Sequence, residues 1–180
     1  MLLYPPKQFD ENEWFVLLSI AAGYILMAFL PKRYPSAMSV LIVLFCVSAA
    51  YAMDHAIASP PLDLYDINDH KEYEWFDLIT YLMYTPYALL CVYLYHKLSP
   101  KKLWFTGYVI GWSLFCAFFE WLAILSHVFI FHGWNLVYSF SVYIVMTTIT
   151  LWFFEYLRRN FRLPSVISDS AAQDRRIDEA

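Results

Sequence analysis

Apolar residues fall into five long runs that are separated by short polar segments. Each run is close to the ~20 residues that a helix needs to cross ~30 Å of hydrocarbon. Because the runs are continuously apolar and do not alternate with a period of two, they favour helices over barrel strands. The pattern predicts an all-α integral membrane bundle of five transmembrane helices, with spans at about 14–30, 36–58, 75–95, 103–127 and 136–157. We expect one transmembrane domain over 1–162 and a short, polar, disordered cytoplasmic tail over 163–180.

Basic residues predict the orientation of these spans. Lysine and arginine cluster after the first, third and fifth spans, whereas the intervening segments hold only Lys7 and Lys71. With five spans, the three basic clusters share one side of the membrane. The positive-inside rule then places the N-terminus outside and the C-terminus in the cytoplasm. The clusters are Lys32 and Arg33, then Lys97, Lys101 and Lys102, then Arg158, Arg159 and Arg162.

Composition narrows the class of protein. Hydrophobic residues make up 61% of the 180 residues and charged residues only 16%, which leaves too few polar side chains to cover a water-facing surface. A net charge of −4 gives no basic surface for nucleic acid. The three cysteines lie inside apolar runs without a CxxC pair, so neither a disulfide framework nor a zinc knuckle is expected. The N-terminal segment also lacks the basic start and cleavage site of a signal peptide, so we expect the first span to be retained.

Ionisable and polar residues near the predicted outer ends of the spans are the main candidates for function, because such groups are costly inside a membrane. They are Asp54, His55, Glu120, His127 and Asn135. Helical spacing gives three stripes of small or polar residues. On the fourth span the stripe is Ser113, Cys116, Glu120 and His127. On the second span it is Cys46, Ala50 and Asp54, and on the fifth it is Asn135, Ser139, Tyr143, Thr147 and Thr150. Polar and small stripes face other helices in a membrane, so we expect spans two, four and five to pack together and Asp54, Glu120 and Asn135 to approach one another.

Three interpretations of this polar cluster remain open, beside a site for a small molecule or lipid. The residues can be interhelical hydrogen-bonding groups without further function. They can hold a divalent metal through Asp54, Glu120 and His127, since carboxylate and imidazole are suitable ligands. They can form a relay for protons or ions. No other cofactor is indicated, and no recognisable catalytic motif occurs, which favours a protein that is not an enzyme.

Three further features carry weaker predictions. Gly107 and Gly111 form a small-xxx-small pair that permits close helix approach. Pro86 should kink the third span or free a carbonyl group. The sequence of Asp66, Asn68 and His70 alternates like the start of a calcium loop, but Lys71 stands where that loop needs glycine, so a solvated loop is favoured.

The segments 65–97 and 120–154 resemble a family of small multi-pass membrane proteins of Bacillus-type, spore-forming firmicutes. The likeness rests on a membrane-embedded Glu120 and Trp121 and on a run of the G-W-x-x-x-Y-S-F type at 133–140, and it covers about half of the chain. It implies a bacterial host and a multi-pass topology but no reaction, so no catalytic residue is carried over.

These observations together predict a multi-pass protein of the bacterial cell membrane, in contact with the lipid bilayer and without a nucleic-acid partner. The leading functional expectation is a non-enzymatic accessory or scaffold component that packs with another membrane protein or forms a homo-oligomer. A small transporter or proton/ion-coupled module is one alternative. An intramembrane metal-binding protein or enzyme using the outer Asp/Glu/His cluster is another.

Overall fold

Five helices account for most of the chain in the computed structural model, which describes residues 9–68 and 75–161. They are α1 (Glu11–Phe29), α2 (Ser36–Ile57), α3 (Trp75–Leu98), α4 (Leu103–Leu125) and α5 (Leu136–Asn160). All five are long and apolar enough to span a membrane. The helical bundle predicted from the five apolar runs is therefore confirmed, whereas the predicted tail at 163–180 lies outside the described residues.

A short antiparallel ladder joins two of the connecting segments and was not predicted. Strand β1 (Tyr65–Ile67) follows α2, strand β2 (Phe129–Phe131) follows α4, and Tyr65 pairs with Phe131. Three residues are too few to show a period-two pattern in the sequence. We call this part of the bundle the strand end. The opposite end, where Lys32, Arg33 and Lys97 lie, is called the basic end.

Among the helix boundaries that depart from the hydrophobic runs, the start of α1 and the end of α4 have local reasons. Helix α1 begins at Glu11 because Asp10 and Glu13 form a capping box, in which the Asp10 N–H donates to Glu13 Oε2 at 2.9 Å. Helix α4 ends at Leu125, two residues before the predicted boundary, although the sequence remains apolar. His127 has a φ of 56°, in the left-handed region, and the chain there turns into β2. Hydrophobicity therefore located the span but not its end.

Helix α3 is the centre of the bundle. It packs against α1, α2 and α5, and half of its most apolar segment is buried. Helix α4 packs mainly against α5, whereas α2 and α4 do not pack closely against each other. The prediction that spans two, four and five pack together is thus right for α5, which contacts both α2 and α4. It is wrong for α2 with α4, because α3 and a cavity separate those two helices.

The contact of α1 with α3 depends on Gly23 and Pro86. A Cβ atom at Gly23 would lie 2.6 Å from Pro86 Cγ, so only glycine permits this approach. Pro86 lacks an N–H and leaves the Leu82 carbonyl without its helical donor. Thr85 Oγ1 donates to that carbonyl at 2.7 Å, and the Tyr24 hydroxyl of α1 lies 2.8 Å from Thr85 Oγ1. The freed carbonyl expected at Pro86 is therefore present and is satisfied locally.

The predicted small-residue pair on α4 is not used within the chain. A Cβ atom at Gly107 or at Gly111 would meet nothing within 4 Å, and both residues are exposed. The glycine that allows close helix packing is Gly23 instead.

Two clusters of buried side chains close the bundle at its ends. At the basic end, Met38, Ile42, Val92 and Phe154 are fully buried. At the strand end, β1 and β2 lie over Phe76, Met83 and Ala123. Between the clusters the helices separate and leave an internal cavity, which is described next.

Candidate binding cavity

A cavity of about 200 Å³ lies among α2, α3, α4 and α5. The side chains of Tyr65, Phe129 and Trp134 line it at the strand end. From there it extends past Cys46, at the midpoint of α2, and past Trp112 on α4. The cavity therefore runs from the strand end to about the middle of the bundle.

Asp54 contributes the first of two carboxyl groups to the cavity wall. It lies in the last turn of α2, with 7% of its surface exposed. The Tyr65 hydroxyl of β1 donates a hydrogen bond to Asp54 Oδ1, and Tyr81 of α3 faces the same carboxyl. Asp54 Oδ2 accepts no hydrogen bond of standard geometry from any described residue. Asp54 is thus a buried carboxyl that tyrosines of β1 and α3 hold in the cavity wall.

Glu120 contributes the second carboxyl group, from α4. It is 9% exposed and accepts a hydrogen bond at 2.8 Å from Ser139 Oγ of α5. The indole N–H of Trp134 donates to Ser139 Oγ at 2.7 Å, which fixes the serine hydroxyl toward Glu120. Tyr143 also faces the carboxyl. As with Asp54, one oxygen, Glu120 Oε2, has no hydrogen-bond partner among the described residues.

The two carboxyl groups form one site although their helices do not pack together. Both side chains line the same cavity, and Tyr84 of α3 is within electrostatic range of both. Two buried carboxyl groups in the wall of one cavity make it the candidate place for a donor or a cation to bind.

The polar stripes predicted on α2 and α5 largely line this cavity. On α2 these residues are Cys46, Ala50 and Asp54; on α5 they are Ser139, Tyr143, Thr147 and Thr150. Asn135 departs from the prediction, because it is the N-cap of α5. Its side chain accepts from the N–H groups of Val137 and Tyr138 and does not join the two carboxyls.

The predicted histidines lie away from the cavity. His55 is exposed and stacks on Tyr51 with ring centroids 5.1 Å apart. The His127 side chain is 74% exposed and lies 3.9 Å from Glu11 Oε2. Because α4 ends at Leu125, the helical spacing that placed His127 on the Glu120 face does not continue to that residue.

The proposed divalent-metal set of Asp54, Glu120 and His127 is therefore not brought together. In the described ranges 9–68 and 75–161, no group of three His, Cys, Asp or Glu side chains could hold a metal ion. Two carboxyls without a third ligand do not make the kind of site that was predicted.

Other polar residues of the strand end are engaged in holding the loops. Asn68 Nδ2 donates to Asp77 Oδ1 at 2.7 Å, and His132 Nε2 lies 2.6 Å from Asp66 Oδ2. Asp66 and Asn68 thus bond to different residues and do not converge as calcium ligands would. His70 lies outside the described residues. The expectation of a solvated loop is wrong for Tyr65, Ile67 and Asn68, which are buried.

Sequence reasoning missed the residues that hold the carboxyls in place. Tyr65 reaches Asp54 only because β1 pairs with β2, and this ladder gave no signal in the sequence. The indole N–H of Trp134 belongs to the hydrogen-bond chain of Glu120, although Trp134 was not among the candidate residues. The adjacent N-cap Asn135 was the available signal, since it places Trp134 and Ser139 at the start of α5.

The remaining cavity wall is aromatic and apolar. Ten aromatic side chains line it: Phe45, Tyr65, Tyr84, Tyr87, Trp112, Phe115, Phe119, Phe129, Trp134 and Tyr143. Asp54 and Glu120 are the only carboxylic acids among the described residues that line it, and no Lys, Arg or His of the described residues occurs there. Cys46, Cys91 and Cys116, which are all the cysteines of the chain, also line the wall as free thiols.

Comparison of the chain with protein-family models, with curated proteins and with solved structures gives no match.

Proposed function

We propose that the chain is a multi-pass protein of a bacterial cell membrane, with its N-terminus outside and its C-terminus in the cytoplasm. Large apolar side chains cover the outside of the bundle, with Phe29 and Leu103 84% exposed and Trp104 80% exposed, as lipid contact requires. The loops of the basic end carry Lys32, Arg33 and Lys97, which supports placing that end in the cytoplasm. The strand end then faces outward.

We further propose that the protein is a small transporter or proton/ion-coupled module, whose working part is the cavity. The single observation that carries this proposal is that Asp54 and Glu120, two buried carboxyl groups from helices that do not pack together, line one common cavity. Carboxyl groups in such positions can exchange a bound proton for another cation. The cavity reaches the middle of the bundle, as a pathway for a solute requires.

A purely structural role explains the two carboxyl groups less well. Interhelical hydrogen-bonding groups in a membrane are expected to use their acceptors on neighbouring helices. Ser139 and Tyr65 satisfy one oxygen of each carboxyl, yet both groups also form part of the wall of one cavity, which hydrogen bonding between helices alone does not require. This shared position favours a role in binding.

An accessory or scaffold role, the leading expectation from the sequence, remains the second candidate because of one observation. Gly107 and Gly111 are exposed on α4 and have open space beside them. A small-xxx-small face of this kind permits a partner helix to approach closely. The scaffold role requires this face and makes no use of the cavity.

Labelling of the native cysteines tests whether the cavity receives solutes. We expect methyl methanethiosulfonate, a small neutral thiol reagent, to modify Cys46 and Cys116 in folded protein in native membranes, as detected by mass spectrometry of peptides. Modification of these residues only after denaturation would contradict the proposal, since the cavity would then be a sealed part of the core. Alanine substitution of Gly107 and Gly111 should leave the labelling unchanged.

A further inference from the structure

The chemistry of the cavity wall restricts the kind of ligand that it can hold. An anion would meet two carboxyl groups and no basic side chain among the described lining residues. A neutral hydrocarbon would give the two carboxyl groups of the wall no counter-charge. A ligand with a positive charge and N–H donors removes both penalties.

The aromatic rings strengthen this preference. The faces of aromatic rings attract cations, and the attraction is larger where water is excluded. Tyr84 lies within electrostatic range of both carboxyls, while Tyr65 and Tyr143 face one carboxyl each. The strand end of the cavity thus combines carboxyl and aromatic groups in one wall.

Size and depth restrict the rest of the ligand. An apolar cavity of about 150 Å³ holds benzene. The present cavity, of about 200 Å³, therefore has room for a single ring or an equivalent alkyl group that carries a short amine. Its deeper part is lined by Phe45, Cys46, Trp112 and Met146, which suit such an apolar body.

We propose that the cavity binds a small organic ammonium ion, with the protonated amine between Asp54 and Glu120 and the apolar body directed toward Cys46 and Trp112. This inference rests on the proposed function, in which the cavity is a solute site. It adds the chemical class of the solute: a monoamine with a single ring or a short alkyl body.

Two probes of nearly the same shape test the proposal. 2-Phenylethylammonium carries the ammonium group, and propylbenzene replaces that group by a methyl group. Full-length protein in lipid nanodiscs is labelled with methyl methanethiosulfonate at Cys46 and Cys116 in the presence of each probe, and the free aqueous concentration that halves the labelling rate is measured. We expect the ammonium ion to protect at a concentration about tenfold lower or better.

Variants of the two acids test where the charge is recognised. Asp54→Asn and Glu120→Gln should each reduce protection by the ammonium ion at least about fivefold and leave propylbenzene unaffected. Glu155→Gln is the matched control, because Glu155 is a carboxylate of the same bundle that pairs with Arg158 at 2.6 Å outside the cavity. In this variant the ammonium ion should protect the cysteines as well as it does in the unchanged protein. The comparison of the two probes on the unchanged protein does not depend on whether the variants fold.

The outcomes separate this inference from the proposed function. Equal protection by both probes would overturn the ammonium ligand while leaving the cavity as a solute site. If the cysteines are labelled and neither probe slows the labelling, the ammonium ligand would be overturned as well. Cysteines that react with no reagent until the protein is denatured would overturn both proposals together.

Discussion

Gly23→Ala is the substitution whose effect follows most directly from the packing of the bundle. The added Cβ atom would lie 2.6 Å from Pro86 Cγ and 2.8 Å from Pro86 Cβ. Separations below 3 Å force a shift, and the proline ring cannot rotate away because it is part of the α3 backbone. Overpacking of this kind costs about 1–3 kcal/mol. Alanine has the better helix propensity by up to about 1 kcal/mol, so we expect a net loss of about 1–2 kcal/mol in the free energy of unfolding.

Gly107→Ala provides a matched control for this prediction. It makes the same chemical change inside a membrane-length helix, but its Cβ atom meets nothing within 4 Å. The unfolding free energies of both variants can be measured by steric trapping or SDS titration of purified protein in bicelles. We expect Gly107→Ala to be neutral or slightly stabilising. Equal stability of the two variants would refute the close contact of α1 with α3 at Pro86.

Three further predictions concern the hydrogen bonds and the topology. Thr85→Val should lower the unfolding free energy by about 1–2 kcal/mol, because it removes the donor to the Leu82 carbonyl. The loss should be smaller in a Pro86→Ala background, where a backbone N–H is restored to that carbonyl. A loss of equal size in both backgrounds would contradict this prediction. Ser139→Ala should cost about 1–3 kcal/mol in the same assay because it strands Glu120 Oε1 and the Trp134 N–H, whereas Ser141→Ala, whose hydroxyl bonds only its own helix at the Val137 carbonyl, should change little. Green fluorescent protein fused after residue 180 should fluoresce and alkaline phosphatase fused there should be inactive, whereas the reverse pattern would place the C-terminus outside.

The parts of the fold that the sequence predicted are those that depend on hydrophobicity over many residues. Five apolar runs gave five helices, and the polar stripe on α5 gave the side that faces the cavity. Such signals are repeated along a helix, so single exceptions do not obscure them.

The parts that the sequence did not predict depend on single residues or on distant pairings. The end of α4 at Leu125 comes from a left-handed turn at His127 inside an apolar stretch, and this turn removed His127 from the predicted site. The pairing of β1 with β2 joins segments more than sixty residues apart and brings Tyr65 to Asp54. Conversely, Gly107 and Gly111 satisfied a packing motif that the single chain leaves unused, while the close contact is made by Gly23, which was not singled out.

The central claim is that Asp54 and Glu120 face the same cavity although α2 and α4 do not pack together. Bifunctional methanethiosulfonates of graded length measure this directly in protein whose native cysteines have been replaced by alanine. We predict that the pair Asp54→Cys with Glu120→Cys becomes cross-linked within one chain by a short reagent in native membranes. The pair His55→Cys with Glu120→Cys should not, because His55 lies one residue further along α2 and is exposed against Tyr51. Cross-linking of the His55 pair as readily as the Asp54 pair, or of neither, would contradict the shared cavity.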